Sequence, residues 1–279
     1  MPLSTPEIAS AHDPVAVASG VVNAPANWRA IDFISDLHLQ ASHSATYEAW
    51  QHHMAHTCAD AVFILGDLFE VWVGDDIVEA ADDSEAAFIR RCQHVLHTTA
   101  QRLPVYFIHG NRDFLLGQDF AQACSMTLLP DPCVLNFDHQ RWLLSHGDAL
   151  CLGDVDYQQF RQQVRSRAWQ SHFLAKPLAE RQTIAHGLRA QSESRKASGT
   201  SYADADENMT LQWLKTAQAT TLIHGHTHQP ADHTLFPQEG QPLYRLVLSD
   251  WDAEASPPRL EILRLALGAL PQRINPKLA

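Results

Sequence analysis

The sequence predicts an α/β fold in which short buried strands alternate with amphipathic helices. Three observations support this prediction. Apolar runs of four or five residues alternate with longer segments of helical spacing, a polar cluster follows each of five such runs, and the 279-residue chain is 45% apolar and 19% charged. That composition can bury a large core and excludes a wholly disordered chain. The length allows one large domain or two small ones.

The predicted elements begin at about Arg29. Short runs rich in Ile, Val and Phe predict buried strands, and two segments with apolar residues at helical spacing predict helices, the second with Ser84 as its N-cap. A hairpin that turns at 138–140 follows these elements, and two more strands come late in the chain. The strands are expected at 30–34, 61–65, 105–108, 134–137, 141–145, 221–223 and 243–248, and the helices at 44–56 and 84–101.

Both ends of the chain are expected to lie outside the folded core. Residues 1–28 are rich in Ala, Val, Ser and Pro and contain no Lys or Arg. Because Pro6, Asp13 and Pro14 interrupt them, a secretory signal is not expected, and we predict a flexible extension on a cytosolic protein. A C-terminal tail is expected over 268–279. No apolar run approaches the roughly 20 residues that span a bilayer.

The charge and the cysteines exclude several classes of function. The chain has 32 Asp and Glu against 20 Lys and Arg, which gives a formal net charge of −12. This acidic balance argues against general nucleic-acid binding. Five cysteines without CxxC spacing argue against a disulfide framework and a zinc–thiolate site. The 17 histidines, several of them beside Gly and Asp, are the more informative feature.

The segment 152–203, here called the cap, differs from the rest of the chain. It has almost no strand pattern, and it contains eight basic residues against four acidic ones, a local charge of +4 that leaves −16 for the rest. A solvated helical hairpin is the simpler interpretation. A basic, aromatic-bearing insertion in an acidic protein indicates instead a surface that faces an anionic substrate or lipid. The basic residues are Arg161, Arg165, Arg167, Lys176, Arg181, Arg189, Arg195 and Lys196.

The polar clusters after five predicted strands form a candidate metal site. Ligands of α/β sheets bind outside the carboxyl ends of the strands, so these separate segments can converge. They offer carboxylates, an amide and imidazoles without sulfur, and seven such ligands suit two metals that share a carboxylate. This donor set favours Mn²⁺, with Fe and Zn as alternatives. The candidate ligands are Asp36, His38, Asp67, Asn111, His146, His226 and His228.

Each cluster alone is common in turns, but all five in this order are a rare combination. The motifs Asp-x-His, Gly-Asp, Gly-Asn, His-Gly-Asp and Gly-His-x-His resemble the signature of the calcineurin-like metallophosphoesterases over roughly residues 30–250. The resemblance implies a four-layer αββα metallophosphoesterase sandwich, with a core at 29–151 and 204–267 and a helical cap insertion at 152–203. It also implies that Asp67 bridges two ions, one bound by Asp36, His38, Asp67 and His228 and the other by Asp67, Asn111, His146 and His226.

Arg112 occupies a position where many members of this family have a histidine that protonates the leaving group. A guanidinium stays charged at neutral pH and is a poor acid, so the site suits a leaving group that is already a weak base. A phosphate expelled from a pyrophosphate is such a group, and Arg112 would neutralise charge on phosphoryl oxygens. A structural pair with a carboxylate such as Asp113 is the simpler alternative. The resemblance places the catalytic roles on Asp67, Asn111, Arg112 and His146.

Longer matches resemble one branch of the family, whose substrate is UDP-2,3-diacylglucosamine in lipid A synthesis. Segments 66–72, 110–114, 145–148 and 224–230 carry this resemblance, together with the helical insertion. It implies hydrolysis at the α-phosphorus to UMP and 2,3-diacylglucosamine 1-phosphate, with two Mn²⁺ per chain. It also implies a peripheral position on the anionic cytoplasmic face of the bacterial inner membrane. The substrate contacts would be Asn111, Arg112, Asp154, Ser192, Lys196 and His226.

Some positions depart from that branch, and two other functions remain open. Lys196 stands where Asn is frequent, Gly199 stands where Lys is frequent, and residues 249–251 replace a Gly-containing turn. One alternative is another soluble metallophosphoesterase, such as a nucleotide pyrophosphatase or a cyclic-nucleotide phosphodiesterase. The alternative of a different class is a non-catalytic metal-binding scaffold. No obligate protein partner and no nucleic acid are inferred.

Overall fold

The computed structural model describes residues 20–80, 83–197 and 203–276, with the backbone alone over 190–197. Short strands alternate with helices along the described chain, and two 3₁₀ turns lie at Asp75–Glu79 and Asp148–Leu150. In chain order the strands and helices are β1 (Gly20–Asn23), β2 (Ala30–Ile34), α1 (Ser44–His56), β3 (Ala61–Leu65), α2 (Ser84–Ala100), β4 (Val105–Ile108), α3 (Gln118–Ala123), β5 (Thr127–Leu129), β6 (Cys133–Phe137), β7 (Gln140–Leu144), α4 (Val155–Val164), α5 (Arg167–Leu174), α6 (Leu178–Ala197), α7 (Glu207–Ala217), β8 (Thr221–His224), β9 (Ala231–Leu235), β10 (Leu243–Val247), β11 (Ile262–Ala266) and β12 (Gln272–Ile274).

The strands form two six-stranded mixed sheets. The first sheet has the order β12-β11-β2-β3-β4-β5, and the second has the order β1-β6-β7-β8-β10-β9. Strands β2 to β5 run parallel to one another, and so do β7, β8 and β10. The loops after β2, β3 and β4 therefore leave the first sheet at one edge, where the carboxyl ends of the strands meet.

The two sheets pack face to face between two layers of helices. Alternate strand residues point to opposite faces. Phe33 and Phe63 thus belong to an apolar cluster shared by both sheets, whereas Ile34 and Ile64 pack with residues of α1 and α2. The outer face of the second sheet packs against α7 around Trp213. The predicted αββα sandwich is confirmed.

Several predicted elements have the expected bounds, and the differences are local. Strands 30–34, 61–65 and 105–108 and helix 44–56 are observed as predicted. The second helix is capped by Asp83, not Ser84, because the Asp83 carboxylate accepts the N–H groups of Glu85 and Ala86. The hairpin turns at Asp138 and His139, whose φ angles of 53° and 58° fit a two-residue hairpin turn, so Gln140 already belongs to β7.

The two ends of the chain contribute more structure than predicted. Residues 1–19 lie outside the described part, but β1 pairs in parallel with β6, so the prediction of a flexible extension is wrong from Gly20 onward. The predicted tail contains β12, which pairs with β11. Both are edge strands of three or four residues. Their stability comes from pairing with a neighbouring strand, because their own residues show no apolar pattern typical of a strand. Within the described residues, no helix is long and apolar enough to cross a membrane.

The described part of the cap contains three helices, α4 to α6, and its two ends meet at the core. The backbone N–H of Asp206 donates to the carbonyl of Leu150 over 2.8 Å, which joins the chain that leaves the core to the chain that returns. Beside this joint, Arg245 makes two hydrogen bonds of 2.7 and 2.8 Å to the carboxylate of Asp204. The cap is therefore an insertion whose ends are fixed side by side.

Candidate active site

Most of the predicted ligands have left-handed backbone angles in the loops that follow strands. Left-handed φ angles are uncommon for residues other than glycine and persist only where the surrounding structure fixes them. The two sheets supply that constraint, because their strands bring these loops together. Five of the seven predicted ligands have such angles, namely Asp36 (54°), His38 (48°), Asp67 (53°), His226 (67°) and His228 (53°).

Two glycines allow the loops to approach one another closely. A Cβ atom on Gly110 would lie 2.0 Å from Oδ1 of Asp67, and one on Gly225 would lie 2.2 Å from Oδ2 of Asp36. Any larger residue at either position would displace a carboxylate. The Gly-Asn and Gly-His motifs are thus explained by the space that the neighbouring acids occupy.

One half of the site gathers around Asp36. The Nε2 atom of His228 lies 3.3 Å from Asp36 Oδ1 and 3.3 Å from His38 Nε2. The Nε2 atom of His38 lies 4.0 Å from Asp36 Oδ1 and 3.8 Å from Asp67 Oδ2. These four side chains make up the first predicted ligand set.

The other half gathers around Asn111. Its Oδ1 atom lies 3.0 Å from His146 Nε2 and 2.9 Å from His226 Nδ1. The Nε2 atom of His146 also lies 3.8 Å from Asp67 Oδ1. Asp67 therefore faces both halves through its two oxygens, and the structure brings all seven predicted ligands together.

The donor atoms fit a divalent metal. Oδ2 of Asp36 accepts hydrogen bonds from Ser35 Oγ and the N–H of His226, whereas its buried Oδ1 has no hydrogen-bond partner among the described residues. Nδ1 of His146 donates to the carbonyl of Leu65 over 2.9 Å, which leaves Nε2 as the nitrogen that faces the site. In two groups of three residues, the potential ligand atoms all lie within 4.8 Å of one another. One group is Asp36, His38 and His228, and the other is Asp36, Asp67 and His146.

The electrostatics of the site favour a cation. Burial and the neighbouring His146 lower the pKa of His226 to about 3, so this imidazole is neutral and can bind a metal. Burial also opposes a charge on His146, but Asp67 and Asp36 raise the pKa of His146 to about 9. Burial likewise opposes ionisation of Asp36, yet His228 and two other histidines hold its pKa well below the ordinary value. Metal binding would take over the role of these protons.

Glu70 is a site residue that no sequence pattern singles out. Its carboxylate lies 2.8 Å from Nδ1 of His38, 3.8 Å from Nη1 of Arg112 and 3.3 Å from Nε of Arg189. Burial favours the neutral acid, but the hydrogen bond to His38 and the charges of His38 and Arg112 lower the pKa of Glu70 to about 2. A carboxylate on the second nitrogen of a histidine ligand fixes the orientation of the ring.

Arg112 pairs with Glu70, and Asp113 has a different role. The buried Asp113 carboxylate accepts the backbone N–H groups of Leu68 and Gly110 over 2.7 and 2.9 Å. It therefore joins two ligand loops to each other. Arg112 itself lines the cavity that the site opens into.

A cavity of about 720 Å³ extends from the metal-type ligands to the cap. Of the predicted substrate contacts, Asn111, Arg112, Asp154 and His226 line it. Asp154 also caps α4 by accepting the N–H of Tyr157. The side chains of Ser192 and Lys196 lie outside the described residues, as does Gly199. The apolar end of the cavity is lined by Val71, Val73, Phe114, Leu115, Phe160, Trp169, Phe173, Ala185 and Leu188.

Several basic residues of the cap face the core. Nε of Arg161 lies 2.8 Å and Nη2 of Arg165 3.6 Å from the buried Asp148 carboxylate, and Arg181 pairs with Asp76. The expectation that basic cap residues face lipid or an anionic substrate is wrong for these three. A charge count sums the charges of a segment but does not show their partners elsewhere in the chain.

The chain is similar to known phosphoesterases, which agrees with the metal-type ligands that the loops bring together. The profile of the calcineurin-like phosphoesterase family matches residues 30–230. A UDP-2,3-diacylglucosamine hydrolase of Aeromonas hydrophila is 44% identical over 228 residues, which cover 80% of this chain and 91% of that protein. Proteins of the same name from Bordetella pertussis and Escherichia coli are each 42% identical, over 81% and 80% of this chain and 87% and 92% of their own lengths.

Proposed function

Because the chain belongs to the calcineurin-like phosphoesterase family, we propose that it hydrolyses the pyrophosphate of UDP-2,3-diacylglucosamine. One observation carries this proposal. A single cavity joins five of the seven metal-type ligands, namely His38, Asp67, Asn111, His226 and His228, at one end to an apolar chamber under the cap at the other. A substrate with a phosphoryl group and acyl chains matches both ends. The relatives whose name contains this substrate cover more than three quarters of the chain.

We propose that the seven ligands hold two divalent metal ions, with Asp67 shared, and that the metal is Mn²⁺. Oxygen donors mixed with imidazole suit this ion. Bound there, the metal supplies a Lewis acid for phosphoryl oxygens and lowers the pKa of water. The ligand sets are Asp36, His38, Asp67 and His228 for one ion and Asp67, Asn111, His146 and His226 for the other.

Arg112 would stabilise the charge that develops on the phosphoryl oxygens. Glu70 holds its guanidinium at the cavity wall, and a guanidinium binds phosphate oxygens through two parallel hydrogen bonds. Attack by water at the α-phosphorus forms the new P–O bond of UMP and breaks the bond to the bridging oxygen, which leaves with 2,3-diacylglucosamine 1-phosphate, while the proton of the water passes to solvent. Because the leaving group is a weakly basic phosphate, it needs no proton donor, which agrees with an arginine in place of a histidine.

The apolar end of the cavity would receive the acyl chains. Trp169 and Phe173 stack there with ring centroids 4.7 Å apart, and Leu188 lines the same wall. Burying one methylene contributes roughly 0.8 kcal/mol, so a few buried methylenes suffice to select a lipid over a soluble sugar nucleotide.

We also propose that the cap contacts the cytoplasmic face of the inner membrane, through apolar side chains more than through basic ones. Val155 is 59% exposed and Leu174 is 42% exposed, whereas Arg161 and Arg165 pair with Asp148. Co-sedimentation with anionic vesicles should fall when Val155 and Leu174 are changed to Asp. Leu270→Asp is the control, since Leu270 is 84% exposed but lies outside the cap. Equal loss in the control would contradict this contact.

Turnover of purified protein tests the proposal directly. With Mn²⁺, the protein should convert UDP-2,3-diacylglucosamine to UMP, and removal of metal with EDTA should abolish the reaction. Water-soluble UDP-sugars should be poor substrates. Equal activity on soluble UDP-sugars would favour another phosphoesterase function, and metal binding without turnover would favour a non-catalytic scaffold.

A further inference from the structure

Asp148 follows the predicted ligand His146 by two residues, but its carboxylate turns toward the cap. Its Oδ2 atom accepts hydrogen bonds from Tyr157 Oη over 2.7 Å and from Arg161 Nε over 2.8 Å. The carboxylate is fully buried. The backbone carbonyl of Asp148 accepts a further hydrogen bond from Nε2 of Gln158 over 2.7 Å. Three residues of α4 therefore converge on this one core residue.

The cap residues around Asp148 also contact the other ligand loops. Nη2 of Arg165 lies 3.6 Å from Asp148 Oδ2 and donates to the carbonyl of Gly110 over 2.8 Å, directly before Asn111. The ring of Tyr157 stacks on that of His226, with centroids 5.8 Å apart and planes 28° apart. The start of the cap, at α4, is thus in contact with three loops that carry predicted ligands, namely those of His146, Asn111 and His226.

We propose that Asp148 is a positioning residue that docks the first helix of the cap onto the metal-binding loops. A buried carboxylate and its guanidinium partners depend on one another, because removal of one partner leaves an uncompensated buried charge. Without the Asp148 charge, Arg161 and Arg165 would lose the partner that holds α4 against the core. The cavity would then lose the wall that α4 and its N-cap contribute, namely Asp154, Tyr157 and Phe160.

This role predicts effects on the substrate that are separate from effects on the metal. The kinetic part rests on the proposed function, whereas the docking part does not. For Asp148→Asn we expect KM for UDP-2,3-diacylglucosamine to rise at least about 10-fold, the order expected when a positioned wall of a site is lost. The Mn²⁺ dissociation constant and kcat should stay within about 3-fold, since His146 and the other ligands are unchanged. Amide hydrogen exchange over 155–164 should become faster.

The chain offers a matched control for the loss of a buried ion pair. Asp32 is fully buried like Asp148, and its partner Arg264 is 18% exposed against 22% for Arg161. Asp32→Asn should lower the melting temperature but leave KM and the exchange of α4 unchanged. Arg161→Gln removes the same docking contact from the cap side and serves if Asp148→Asn does not fold.

The three readouts separate the possible roles of Asp148. A parallel loss of Mn²⁺ affinity and kcat with unchanged exchange in α4 would overturn the proposal, because Asp148 would then act on His146. Unchanged KM together with unchanged exchange would also overturn it. If the unaltered protein does not turn over the lipid substrate, the proposed function fails, and the exchange of α4 in the two variants still decides whether Asp148 docks the cap.

Discussion

The loops that carry the seven predicted metal ligands and the cap border the same cavity but are held in place by different interactions. The loops follow directly from strands, and backbone groups fix them, as in the N–H of His226 that binds Asp36. The cap is held through side-chain charges, with Asp148 and Asp76 binding arginines of its first and last helices. The proposed chemistry thus lies on loops fixed by hydrogen bonds of backbone groups, and the proposed recognition of acyl chains lies on a segment whose first and last helices are attached to the core through ion pairs.

Asp67→Ala should have the largest effect, because it removes the carboxylate that faces both halves of the site. We expect activity to fall at least about 10³-fold, the order seen when a core catalytic group is lost. Metal content should fall with it, as measured by elemental analysis, and should approach that of EDTA-treated protein. Asp138→Ala, in the hairpin turn, is a control that should retain activity. Wild-type turnover with full metal content would contradict the role of Asp67.

Arg112→Ala separates catalysis from metal binding within the same loops. A guanidinium has no lone pair for a metal, so metal content should not change while kcat/KM falls roughly 10²-fold or more. Arg112→Lys should restore only part of the activity, because the planar two-pronged contact is lost. Loss of metal in parallel with activity would show that Arg112 supports the ligand loops instead.

Glu70→Gln probes the residue that links the two regions. Glu70 contacts the predicted ligand His38 and the cap residue Arg189, so the change should weaken Mn²⁺ affinity about 10- to 100-fold, as measured by calorimetry. Glu261→Gln is the control, since Glu261 pairs with Arg273 away from the site. Unchanged Mn²⁺ affinity in Glu70→Gln would mean that the contact with His38 does not orient the ring.

Leu188→Ala should have the smallest effect and should act on the substrate alone. Leu188 lines the apolar end of the cavity and is 40% exposed, so the variant should raise KM for the diacyl substrate a few-fold, with kcat and metal content unchanged. Shortening the acyl chains of the substrate should raise KM about 4-fold for each buried methylene lost, from roughly 0.8 kcal/mol each. A KM that does not depend on the length of the acyl chains would contradict the proposal that the cap encloses them.

The sequence predicts the core better than the edges and the cap contacts. Strands β2, β3 and β4 are buried on both faces, so their continuous apolar runs reveal their bounds. Strands β1 and β12 lack such a pattern because one edge of each is unpaired within the described sheets. Their stability depends on neighbours distant in the sequence.

Within the site, too, features that follow from local sequence patterns could be predicted, and features that depend on distant partners could not. The convergence of the seven ligands could be predicted, because all follow strands and the carboxyl ends of parallel strands meet. The roles of Glu70 and Asp148 could not, since each depends on partners from separate segments of the chain. The interpretation of Arg161 and Arg165 as lipid-facing was wrong for the same reason, because burial of an ion pair is a tertiary property.

The hydrogen bond between Asp206 and Leu150 has a consequence for how this architecture can diversify. A chain excursion whose ends already touch can be lengthened, shortened or exchanged without moving its points of attachment, provided that the new segment again supplies cationic partners for the buried Asp148. Grafting a foreign insertion between these two residues would test new substrate preferences on an unchanged catalytic framework. Exchange of this one contiguous segment would then change the walls of the cavity while the loops that carry the predicted ligands stay in place.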